Sequence, residues 1–115
     1  MIQEGKIVLF RFPTTALAEG KLRPALVIRK LPGRYNDWLI CMISTQLERA
    51  VDGFDEMIHA HDPDFSDTGL KSQSVCRLSR LAVVEQSLLI GSIGQINTQR
   101  MVRIKTTLSD WITSV

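Results

Sequence analysis

Arg23-Pro24-Ala25-Leu26-Val27-Ile28 is the run whose reading decides the fold. Proline has no N–H and pushes its predecessor into extended geometry, so Arg23-Pro24 suits the first rung of a strand. The unbroken apolar centre that follows predicts a strand over 23–30 buried on both faces. A guanidinium at that strand start would sit at the rim of a sheet. Fifteen residues on, a second apolar run, Trp38 to Ser44, reads as a strand ending in the hydroxyls of Ser44 and Thr45, then Gln46. An arginine at one strand start and hydroxyls at another strand end would converge on a phosphodiester.

Outward from this pair the same periodicity continues. Lys6 to Phe12 reads as a strand, and Pro13 to Leu22 as a polar loop. Leu31 to Asp37 carries strong turn chemistry, and Gln46 to Gly53 is either a helical turn or a loop. Phe54 to Ala60 is expected as a strand and His61 to Gly69 as a loop. Gln73 to Leu78 and Leu81 to Val84 form two short strands, and Leu89 to Ile96 a strand bulged at Gly91 or Gly94. Asn97 or Thr98 then caps a helix whose Met101, Ile104, Leu108, Trp111, Ile112 and Val115 fall at helical spacing. Many short strands with one terminal helix imply a small β-barrel, mainly β with α, in a single domain over 1–115. The apolar helix face is expected to be mostly intramolecular core.

Composition excludes several classes. The chain has 115 residues, 44% of them hydrophobic, enough for one small core. No apolar run approaches the roughly 20 residues of a membrane span, and the N-terminus lacks a secretory signal pattern, so a cytoplasmic protein is expected. Cys41 and Cys76 lie inside apolar runs and read as buried, reduced thiols. The net charge is +2, but residues 1–34 carry seven Lys/Arg against two Glu, residues 46–70 one Arg against seven acids, and residues 71–115 six Lys/Arg against two acids. The basic first third suits a polyanion. His59, His61, Asp62, Asp64 and Asp67 match no strong metal motif, and read as a solvated acidic loop with both histidines on one strand face. No metal and no cofactor are expected.

Four blocks, Gly5–Pro13 (G-K-I-V-L-F-R-F-P), Gly20–Ile28 (G-K-L-R-P-A-L-V-I), Ile43–Gln46 (I-S-T-Q) and Thr68–Val75 (T-G-L-K-S-Q-S-V), resemble the MazF/PemK family in order and spacing. Those proteins are toxins of bacterial type II toxin–antitoxin pairs, and most are endoribonucleases. The resemblance implies an SH3-like barrel with a C-terminal helix packed on it (MazF/CcdB-like), forming a homodimer. It implies metal-independent, sequence-specific cleavage of single-stranded mRNA to 2′,3′-cyclic phosphate and 5′-OH ends, with a cognate antitoxin as inhibitor.

By the same resemblance Arg23 is the catalytic arginine, given a general-acid role in the family, and Ser44 occupies the catalytic Thr/Ser position. Thr45, Gln46 and Ser74 stand beside it in the matching blocks. The loop between the first two strands corresponds to the RNA-contacting loop, with Thr14, Thr15 and Lys21 as contacts. Some relatives carry an Arg and an Asp two residues apart at the next position. This chain keeps the arginine as Arg77 but has Ser79 in place of the acid, leaving the general base unassigned. One structural relative poisons DNA gyrase through a Trp-Gly-Ile ending; Trp111-Ile112-Thr113-Ser114-Val115 departs from it. A gyrase-binding toxin and a non-catalytic SH3-like binding module are the alternatives.

Overall fold

A computed structural model describes residues 2–11 and 21–115. Six strands, β1 (Lys6–Arg11), β2 (Leu22–Lys30), β3 (Asp37–Ser44), β4 (Glu56–Ile58), β5 (Ser74–Glu85) and β6 (Leu89–Gln95), form one antiparallel sheet in the order β4-β5-β3-β2-β1-β6. The sheet is not closed, with β4 and β6 at its edges, so the barrel expected from sequence is only loosely realised. A 3-10 turn spans Leu47–Arg49, the short helix α1 Phe65–Thr68, and the C-terminal helix α2 Thr98–Thr113.

The continuous apolar centre of β2 serves two cores, as its sequence predicts. Leu26 and Ile28 join Ile7, Cys41, Ile43 and Leu78 on the face that α2 covers with Met101 and Ile104. Ala25 and Val27 join Val8, Phe10, Trp38, Ile40, Val84 and Leu89 on the other. Each fully buried Leu or Ile in such a cluster contributes about 1.5–3 kcal/mol. Cys41 and Cys76 are free and buried. The hydrogen-bonding Cys76 thiol, together with burial, pushes the Cys41 thiol up, which keeps it protonated.

Four expectations change. The strands read as Gln73–Leu78 and Leu81–Val84 are one twelve-residue strand, β5. Its register against β3 jumps from Cys41↔Leu81 to Met42↔Arg77, leaving Leu78, Ser79 and Arg80 as a bulge. Phe54–Ala60 contributes only three strand residues, and His61–Gly69 contains α1. The apolar stripe of α2 is buried only in its first half, because Trp111 and Ile112 are 54% and 73% exposed. Trp111 still meets Phe54 edge-on, with ring centroids 5.7 Å apart.

The acidic loop is also not merely solvated. Arg100, a charged residue four before Ile104 at the edge of the apolar stripe, is 3% exposed. Its guanidinium donates to Asp64 (2.9 Å, twice), Asp62 (2.7 Å), Glu56 (2.8 Å) and the Met57 carbonyl (2.6 Å). Asn97 caps α2 by accepting from Arg100 N at 2.8 Å, and its own N–H donates to Asp64. Burial opposes the Arg100 charge, but the Asp64 and Asp62 carboxylates outweigh it and raise its pKa further above the usual arginine value.

Candidate active site

The first two rungs of β2 and the last of β3 meet at one rim of the sheet. The register pairs Ala25 with Met42; continued two residues, it sets Arg23 opposite Ser44 on the same face. Both line a pocket of about 270 Å³, together with Thr45, Pro24 and Ile43. Arg23 is exposed and has no ion-pair partner among the described residues. The arginine–carboxylate surface pair that would make it a bland rim residue is not formed there.

Ser44 is held by its own chain. The Gln46 N–H donates to Ser44 Oγ at 3.0 Å, a local turn that commits one lone pair and leaves the hydroxyl proton free to donate. That geometry suits a hydrogen bond to a phosphate oxygen better than proton abstraction. Thr45 and Ser74 border the same pocket. Gln46 enters through its backbone alone, its side chain being exposed, and Lys21 is exposed just before β2. Thr14 and Thr15 lie outside the described residues.

Further lining comes from the segment after α1. Gly69, Leu70, Lys71 and Ser72 border the same pocket as Arg23. Lys71 and Ser72 were not singled out from the sequence, although both lie inside the Thr68–Val75 block; an alternating pattern gives no sign of a side chain delivered by a turn. The turn is tightly seated. Thr68 is fully buried, and its Oγ1 donates to Phe65 O at 2.6 Å and accepts from Leu70 N at 3.2 Å. Gly69 takes a φ of 74°, and a Cβ there would lie 2.1 Å from the Ile93 carbonyl oxygen. A Cβ on Gly94 would lie 2.3 Å from the Asp67 carbonyl, so the two backbones cross where only glycine fits.

Arg77 is placed elsewhere. Its Nε is buried beside Asp55, 3.3 Å from Oδ2, and it lines a neighbouring groove with Arg49 and Arg80. The serine in the acid position, Ser79, donates its backbone N–H (3.0 Å) and hydroxyl (3.1 Å) to this same Asp55. A carboxylate is therefore present near Arg77, supplied by the segment before β4. Its side chain is fully buried and already accepts from Val51 N, so it is a positioning group and not an accessible base.

His59, His61 and Asp62 gather with ligand atoms within 4.8 Å of one another, the two imidazoles stacked at 5.3 Å. The histidines follow β4 instead of sharing a strand face. Asp62 Oδ2 is committed to His59 N and to Arg100, and these two donors hold its pKa below the usual carboxylate range. Asp64 is buried against Arg100, whose hydrogen bonds likewise lower its pKa. The carboxylates here serve a guanidinium.

Residues 3–112 match the model of the PemK-like, MazF-like toxins of type II toxin–antitoxin systems. The chain belongs to this family. The Mycobacterium tuberculosis toxin MazF-mt6 is similar in structure, with a TM-score of 0.66 over 93% of this chain and 95% of that one. At 15% identity that likeness speaks for the fold: an antiparallel sheet with a C-terminal helix. A search of the curated proteins finds no match. As a PemK-like toxin, the protein is the toxin member of a toxin–antitoxin system. No helix among the described residues is long and apolar enough to cross a membrane.

Proposed function

We propose that this PemK-like toxin is a metal-independent endoribonuclease that cleaves single-stranded mRNA at a short sequence. The observation that carries the reading is that Arg23 and Ser44, from adjacent strands, line one pocket. Cleavage proceeds by attack of the ribose 2′-oxygen on the adjacent phosphorus. The 2′-O–P bond forms as the P–O5′ bond breaks. The 2′-OH proton is lost to a base, and the departing 5′-oxygen is protonated. A 2′,3′-cyclic phosphate and a 5′-OH result, and no water enters the products.

Arg23 suits the charge that builds on the phosphoryl oxygens, since its planar fork donates to two of them at once. The Ser44 hydroxyl donates to a phosphoryl oxygen, and Lys71 adds a second positive charge to the pocket lining. A single strand is the favoured form because its unstacked bases expose edges to the rim. The antitoxin acts by covering this same rim, and the toxin works as a homodimer in the cytoplasm.

Cleavage of a long mRNA in EDTA by wild type and Arg23→Ala, with 5′ ends mapped, tests the reading. Cuts at one recurring motif, reduced about 10²–10³-fold in the variant, are expected from loss of a group stabilising transition-state charge. RNA left intact by the wild type would remove the nuclease.

A further inference from the structure

We propose that His59, His61 and Asp62 form a binding site for one divalent transition-metal ion, zinc by its ligand chemistry, which clamps the turn between β4 and α1. The site is separate from the chemistry at Arg23 and Ser44. None of the three residues lines that pocket, and the proposal stands whether or not the protein cuts RNA.

The ligands come from a single tight turn. These are the chain's only two histidines, and both fall within one H-A-H-D stretch. The turn closes on itself twice. Asp62 N donates to His59 O at 3.0 Å, and His59 N donates back to Asp62 Oδ2 at 2.8 Å. That fold-back puts a ligand atom from each of the three side chains within 4.8 Å of the others. The two imidazoles stack nearly parallel, 5.3 Å apart.

The spacing leaves room for an ion. His59 Nδ1 lies 3.8 Å from Asp62 Oδ2, and His61 Nε2 lies 3.8 Å from Oδ1. Both separations are too long for hydrogen bonds. Two atoms each about 2.1 Å from one tetrahedral zinc stand roughly 3.4 Å apart. A small rotation of the imidazoles closes that difference, and His61, 83% exposed, has the space to make it.

Asp62 is the fixed member. The buried Arg100 donates to its Oδ2 at 2.7 Å, as does the His59 N–H, so the carboxylate is oriented before any ion arrives. Metal-ligating carboxylates are commonly held by hydrogen bonds of this kind. Oδ1 takes part in neither bond and is turned to His61. Two imidazole nitrogens with one carboxylate oxygen suit zinc and its borderline neighbours, and suit magnesium or calcium poorly. Water completes the coordination on the exposed side. Because the unfolded chain does not gather the three ligands, a bound ion stabilises the folded one by mass action.

The test is calorimetric titration of zinc chloride into the untagged, EDTA-treated and desalted chain, with His59→Ala and His61→Ala alongside. One zinc per chain is expected, bound at least about tenfold more weakly by each variant, since loss of even a supporting partner costs that much. Zinc should raise the wild-type Tm more than that of either variant, and magnesium should not raise it. Wild-type NMR needs no variant: the ring-proton signals of both histidines should move together and finish at one equivalent. Absent binding, an equal response to magnesium, or the signals of one histidine moving alone overturns the site. Binding that survives both substitutions, or falls in only one, shows an adventitious ion only and overturns it equally. RNA cleavage in EDTA bears on the nuclease reading alone, so the two fail separately.

Discussion

Arg23 and Arg100 show one residue type in two opposite settings. Arg23 stands exposed at the pocket rim with no ion-pair partner among the described residues, while Arg100 is buried beneath α2 and donates to three carboxylates and a carbonyl. A buried guanidinium is tolerated only when its donors are satisfied, and each of its partners is correspondingly costly to lose. An exposed one without a partner keeps its fork available for a ligand. The two regions are also joined. The acids that hold Arg100 lie on the segment that continues through α1 to Lys71, so the buried staple anchors a segment that lines the same pocket as Arg23.

The staple should give the largest effect. Arg100→Met leaves Asp62, Asp64 and Glu56 gathered without their cation, which should cost about 3–5 kcal/mol. For a domain of this size that lowers Tm by roughly 10–20 °C, read by thermal unfolding. A variant melting with the wild type would show that the network contributes nothing.

Acid should sharpen the same contrast more gently. The pKa values of Asp62 and Asp64 are depressed in the folded state by the His59 N–H and by Arg100. Their contribution is therefore complete above the ordinary carboxylate pKa, about 4, and is lost as pH falls through the depressed values. Denaturant titrations at a series of pH values should show wild-type stability falling below about pH 4. Arg100→Met should follow a flatter curve, and parallel curves would detach the loss from this network.

Sequence legibility followed the same divide. Arg23 and Ser44 could be set at strand ends from local patterns, because a proline marks the first rungs of one strand and Ser44-Thr45 closes the apolar run of the other. Arg100 could not. Its burial depends on Glu56, Asp62 and Asp64 arriving from 36 to 44 residues away, and its place four residues before Ile104, at the edge of the apolar stripe, does not reveal those partners. The β5 bulge was hidden for a related reason. Asp55 compensates its unpaired backbone at Ser79 from 24 residues upstream, so the break between Leu78 and Leu81 looks like a strand ending. The exposed tail of the α2 stripe shows that apolar spacing predicts a face without saying what covers it.

The most direct test of the central claim is a double-mutant cycle in RNA cleavage with Arg23→Ala, Ser44→Ala and the pair. If both side chains act on one transition state, the double variant should lose clearly less activity than the product of the two single losses. Strictly multiplicative losses, or full cleavage in either single variant, would contradict a shared site at the rim.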